Sequence, residues 1–195
     1  RSFALSFETE ERSDRVAMVS ENSAEQVLFS YTTPALAATA SITSSWHLGQ
    51  IFAPTLPANA ASYTVTRLST RARRNGSSSG SVFAQLRPFD SSTQTLQAID
   101  SQVRVYESEF GASYDWEDFV FPSPPSYAAG STAAITIDWE FGAVAADFEY
   151  DDGGGNDVLW STDGGSNYTH YAGKSMVAEV YGTYLIQMPG IDLTR

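Results

Sequence analysis

The chain has 195 residues, 42% of them hydrophobic, which suits one domain with a core of its own, and it has no cysteine, which excludes disulfides and thiolate metal sites. Asp and Glu number 23 against 11 Lys and Arg, a net charge of −12 that disfavours the polyanionic surface of nucleic acid. No run of about 18 apolar residues exists, so membrane insertion is not expected.

The chain opens with "RSFALSFETE", which places Phe3, Leu5 and Phe7 on one face if it is extended. Residues 10–31 mix Glu, Arg and spaced apolar residues, a pattern that leaves helix and strand open. "TTPALAATASITSS" (32–45) is small, polar and low in complexity, and reads as a connector. Residues 1–45 are therefore expected to be an amino-terminal arm, which either completes the sandwich or reaches outside it, and a connector, ahead of a strand-rich domain over 46–185 and a tail over 186–195.

Within that domain "SYTVTRLST" (62–70) and "SVFAQLRPF" (81–89) alternate with period two and read as strands. The "RRNGSSSG" between them, with its Asn-Gly, predicts a hairpin-type connection. Further strands are expected over 95–106, 115–121, 132–139, 157–162 and 176–185, separated by the Pro-rich "FPSPPSYAAGS" and the Gly-rich "DDGGGND". Many short strands with turns between them predict an all-β, antiparallel, two-sheet β-sandwich. Expected inward residues are Phe52, Val65, Leu68, Val82, Leu86, Trp116, Phe119, Ile135, Ile137, Val177 and Val180, with Trp46 and Trp139 also read as core.

The order of several landmarks adds to this reading. Gly49-Gln50-Ile51-Phe52, Trp116 with Phe119, Asp163-Gly164-Gly165-Ser166 and Val180-Tyr181-Gly182 follow one another over 46–182. In this the chain resembles the choice-of-anchor group of surface β-sandwich domains. The resemblance implies a jelly-roll-like fold on exported proteins, without an established catalytic centre, and hence an extracellular or virion-surface location. The closing "YLIQMPGIDLTR" departs from that group's usual carboxy-terminal sorting segment.

Candidate chemistry divides into four groups. Glu107 with Glu109, and Glu117 with Asp118, are the carboxylate pairs that a glycosidase would need, but a solvated strand face explains them equally well. No Gly-x-Ser-x-Gly elbow is present and there are only two histidines, so no enzyme is expected and no cofactor is required. Asp151, Asp152, Asn156, Asp157 and Asp163 offer oxygen ligands for a structural calcium ion, in an order unlike an EF-hand and equally suited to turns. Arg71, Arg73 and Arg74 lie, with Arg67 and Arg87, in a stretch (62–89) free of acidic residues. Together with Phe3, Leu5 and Phe7 of the arm they are the candidates for self-association or attachment to a scaffold protein, pairing across strands being the alternative. Trp160, Tyr168 and Tyr171 are candidate stacking platforms for a glycan. The expected function is a structural or adhesive surface subunit, with a carbohydrate-binding module as the alternative.

Overall fold

The computed structural model describes residues 19–76, 79–142 and 145–188, so Phe3, Leu5 and Phe7 lie outside the described residues. Chain order gives β1 (Val19–Asn22), β2 (Gln26–Tyr31), β3 (Ala37–Ile42) and β4 (His47–Phe52). The long strands β5 (Ala60–Arg73) and β6 (Ser81–Asp90) follow, then β7 (Thr95–Leu96) and β8 (Ser101–Tyr106). A 3₁₀ turn at Glu107–Glu109 leads to β9 (Asp115–Val120), β10 (Ser126–Ala128), β11 (Ala133–Phe141) and β12 (Ala146–Asp151). The last four are β13 (Asp157–Ser161), β14 (Thr169–Ala172), β15 (Ser175–Met176) and β16 (Ala178–Met188). Among the described residues no helix is long and apolar enough to cross a membrane.

These strands form a nine-stranded and a seven-stranded sheet, with every pairing antiparallel. In the first sheet, residues 62–64 of β5 pair with β16 on one edge and β10 on the other, and β9 continues the β10 edge. β1 and β2 lie in file along the far edge of β16, while β12 joins the end of β5 and carries β3 and β15. The second sheet runs β14-β13-β4-β11-β6, with β7 and β8 on β6. The all-β, two-sheet sandwich expected from the sequence is what the chain forms.

Two expectations about connectivity change. β5 and β6 stand in different sheets, so "RRNGSSSG" carries the chain across the sandwich instead of closing a hairpin. Turn chemistry marks where a strand ends, not which strand pairs next. Here the buried Glu107 carboxylate accepts the amides of Asn75 (3.0 Å) and Gly80 (3.3 Å) and draws the connection down onto the sandwich. The second change is at the amino terminus, where the connector read over 32–45 contains β3, while 19–31, left open between helix and strand, supplies β1 and β2. Leu28, Ala40 and Ile42 of this segment are buried, but β2 buries only one side chain and β3 only two, which hides the period-two signal among Ser, Thr and Ala.

The core lies between the sheets. Tyr63, Val65, Leu68 and Ala72 from β5 meet Leu48, Val82, Leu86, Ile135 and Ile137 from the second sheet, all at 1% exposure or less. Each large aliphatic side chain so placed contributes about 1.5–3 kcal/mol. Val65 and Leu68 differ in parity, yet both point inward. The pairing of β5 with β16 slips between Tyr181 and Gly182, which leaves Thr66 as an extra residue and reverses the alternation. The bulge needs glycine at 182, where a Cβ would stand 2.1 Å from the Thr64 carbonyl oxygen. Of the residues expected to be inward or core, Trp116 and Trp46 are turned out, Trp116 at 40% exposure on the outer face of β9 and Trp46 at 46%.

A smaller apolar cluster lies on the outer face of the second sheet, where Ile51, Phe89, Ala134 and Leu159 are covered by Leu96 and Tyr168. The two faces of that sheet are thus both partly closed, and the open aromatic surface lies at its β13–β14 edge.

Candidate functional site

The edge where β13 and β14 run past β12 and β15 carries a cleft of about 230 Å3 lined by Trp46, Tyr150, Trp160, Thr162, Tyr171 and Lys174. Strand geometry places its centre. Val158 of β13 is in the core, so Trp160 shares the inward face, and Tyr171, opposite Val158 on β14, shares it too. Trp160 is braced edge-on by Trp46 (ring centroids 5.6 Å) and by Tyr150 (5.5 Å). Trp46 stands in a short turn whose ends are tied by Thr43 N–H to the Trp46 carbonyl and Trp46 N–H to Thr43 Oγ1, both 3.1 Å. Trp46 and Tyr171 remain 46% and 43% exposed. Close to half of each of these two aromatic residues is therefore in water beside the cleft.

The polar element of this cleft is Lys174, the one lysine of the chain. Its ammonium is ion-paired with Asp152 and lies 5.8 Å from the Tyr171 ring centroid and 5.9 Å from that of Tyr150. The hydrogen bond to Asp152, outweighing partial burial, holds the Lys174 pKa above its ordinary value, so the group is cationic at neutral pH.

Of the three expected glycan platforms, Trp160 and Tyr171 meet here and Tyr168 does not. Tyr168 is turned under the second sheet, where its hydroxyl donates to Asp138. Burial first, and then Asp138, push its pKa far up. Asp138 also lies 3.3 Å from His47 Nδ1, and the Trp139 amide donates to His47 Nε2 (3.4 Å). The Asp163–Asn167 turn closes over this pair. Gly165, at φ +80°, comes so near that a Cβ would stand 2.8 Å from His47 Nδ1. Tyr168 is thus a partly buried prop of the turn. Trp46, read as core, stands exposed beside Trp160 in its stead.

The five expected calcium ligands do not converge, and among the described residues no group of three or more His, Asp or Glu is placed to hold a metal ion. Each is engaged locally. The buried Asp151 accepts the Tyr31 hydroxyl and the amides of Ala35 (2.8 Å), Leu36 (2.9 Å) and Gly153 (2.9 Å), which fastens the connection between β2 and β3. These donors, led by Tyr31, lower its pKa to about 2. Asp163 accepts the Asn167 side chain (2.7 Å) and amide (2.9 Å) and the Ser161 hydroxyl (2.9 Å), led by the side chain, and is likewise lowered to about 2. Asp157 pairs with His170 at 2.8 Å, Asn156 donates to Ser175 Oγ at 2.8 Å, and Asp152 holds Lys174. The acidic loops are built as turns.

The arginines are spoken for in the same way. Arg71 pairs with Glu149 (3.1 Å) and Arg73 with Asp147 (3.0 Å), both acids on β12. Arg67 pairs with Asp118 (2.8 Å) and Glu25 (3.6 Å) and covers the Tyr181 ring at 3.8 Å. Arg87, on the other sheet, donates to the Gln97 carbonyl. The stretch without acids is thus neutralised by strands distant in sequence, and of the three candidate docking arginines only Arg74 stands exposed, in the connection after β5. The carboxylate pairs part as well. Glu107 is buried while Glu109 is exposed, and Glu117, its pKa raised by burial, lies on the opposite face of β9 from Asp118.

Sequence reasoning passed over Tyr150 and Lys174. The available signal was a solitary lysine in the turn after an aromatic strand, which gains meaning only when β12 is seen beside β14. No protein-family model matches the chain, and no curated protein matches it in sequence.

Proposed function

We propose that the protein is a non-catalytic binding module that takes a carbohydrate in the cleft formed by Trp46, Trp160 and Tyr171. The observation that carries this reading is the pair of half-exposed aromatic rings held apart around a braced tryptophan, with a polar pair beside them. Pyranose rings have an apolar face that stacks on such surfaces and hydroxyls that bond to polar neighbours. The separation of both carboxylate pairs supports a role in binding, not hydrolysis. The resemblance to choice-of-anchor domains supports an exported, surface setting. Titration of the protein with a glycan panel, followed by tryptophan fluorescence and calorimetry, tests the reading. Saturable binding lost in Trp46→Ala is the expected result, and no binding, or binding unchanged in Trp46→Ala, overturns it.

A second reading, assembly into a surface structure, is supported by the entry of the chain at the outermost strand of the first sheet, where β1 and β2 pair with β16 along one edge. An edge of this kind can pair with another strand. Light scattering on the full chain and on a form starting at Val19 tests whether the preceding 18 residues join copies together. Deletion through Ile42 is unsuitable for this purpose, because it removes three strands and is expected to unfold the domain.

A further inference from the structure

We infer that the cleft selects a neutral pyranose, one ring at a time, and discriminates against uronic acids and other carboxylated sugars. This rests on the carbohydrate reading and specifies its ligand class.

Size sets the first limit. At about 230 Å3 the cleft is smaller than the roughly 300–1,000 Å3 of pockets that enclose drug-sized ligands. It holds one sugar ring against Trp46 and Tyr171 and leaves the remainder of a chain in solvent.

Charge sets the second. A carboxylated sugar needs a free cation, and the cation here is committed, since the Lys174 ammonium is paired with Asp152. Residues 138–173 contain eight Asp and Glu and no Lys or Arg, and the one histidine there, His170, is itself paired with Asp157. A carboxylate entering the cleft would compete with Asp152 for Lys174 while approaching an acidic surface. A neutral sugar meets no such opposition. Lys174 and Asp152 together present a donor and an acceptor side by side, the complement of two adjacent hydroxyls, and neither need give up the other. The ammonium also lies close enough to both tyrosine rings to remain in place while the ring stacks.

The test is calorimetric titration of the intact protein with neutral gluco-, manno- and galacto-tetrasaccharides and, in parallel, with tetragalacturonate. Binding of at least one neutral tetrasaccharide, at least about tenfold tighter than tetragalacturonate, is expected. Trp46→Ala is expected to weaken the neutral ligand about tenfold or more. Asp152→Asn is expected to narrow the preference by admitting tetragalacturonate to the freed ammonium. Asp152 is half exposed, so this variant leaves the core untouched. Tetragalacturonate binding as tightly as the neutral sugars, and still lost in Trp46→Ala, would overturn the class inference and leave the cleft as the carbohydrate site. No binding by any of the four, or binding indifferent to Trp46→Ala, would overturn the carbohydrate reading and this inference with it.

Discussion

The outer face of the first sheet and the cleft at its β12 end lie next to one another and treat their side chains in opposite ways. On the outer face every arginine of β5 finds a carboxylate on a neighbouring strand: Arg67 on β9, Arg71 and Arg73 on β12. In the cleft, Trp46 and Tyr171 keep close to half of their surface in water although apolar neighbours are at hand. Residues whose demands are met within the fold report on architecture; residues left unmet at a persistent geometry report on a ligand. The comparison therefore directs attention away from the conspicuous charges and toward the aromatic edge.

The largest effects should separate the two tryptophans of the cleft from each other. Trp160 packs against the main core and braces two rings, so Trp160→Ala should cost about 3 kcal/mol of stability in urea unfolding as well as binding. Trp46→Ala should cost only about 0.5–1.5 kcal/mol of stability, the contribution of its edge contact with Trp160, while removing ligand binding. A large stability loss in Trp46→Ala would mean that its exposed ring belongs to the architecture after all, and the contrast would fail.

On the other side of the comparison, Asp147→Ala should cost about 1–3 kcal/mol and leave glycan binding unchanged. Asp147 is 3% exposed and accepts from Ser41 (2.7 Å), Arg73 (3.1 Å) and Asn75 (2.5 Å), so its removal strands three donors.

An acid titration sharpens the reading of the turns. Asp151 and Asp163 are lowered in the fold to about 2 from the ordinary carboxylate value of 3.8, so the folded state binds their protons less tightly than the unfolded chain. Their contribution to stability is complete above 3.8 and disappears as pH falls toward 2. Urea midpoints should decline across that window, and less steeply in Asp151→Asn. A midpoint that instead rose with added calcium at neutral pH would show these loops to be cation sites and not self-sufficient turns.

How much of this was legible in the sequence follows from the range of the interactions. Period-two alternation in 62–70 and 81–89 marked the strands, and the inward residues hold apart from Trp116 and Trp46, because alternation is local. Even there, Val65 and Leu68 face the same way only through the bulge at Thr66, which is set by Gly182 more than a hundred residues later. β1 and β2 could not be told from helix, and β3 escaped notice inside the connector, because these strands bury few side chains. The cleft was half legible: Trp160 and Tyr171 stood near a polar loop, whereas Trp46 and Lys174 join them only through the pairing of β13 with β4 and β14. The arginine patch was misleading for the same reason, since the partner acids come from β9 and β12.

The smallest effect belongs to Arg67, and it bears most directly on the difference between a satisfied face and a docking face. Its guanidinium lies 2.8 Å from Asp118 and 3.6 Å from Glu25, over the ring of Tyr181. Both acids are about half exposed, so water and salt screen much of the attraction. Exposed ion pairs of this kind contribute about 0.2–1 kcal/mol, and a double-mutant cycle of Arg67→Ala with Asp118→Ala should give a coupling in that range. If the pairing is internal, that coupling falls with added salt while the oligomeric state stays constant. If Arg67→Ala instead left stability untouched and abolished a salt-sensitive association of copies, the arginine would be a docking group temporarily satisfied at home. The outer face would then join the cleft as a surface built for a partner.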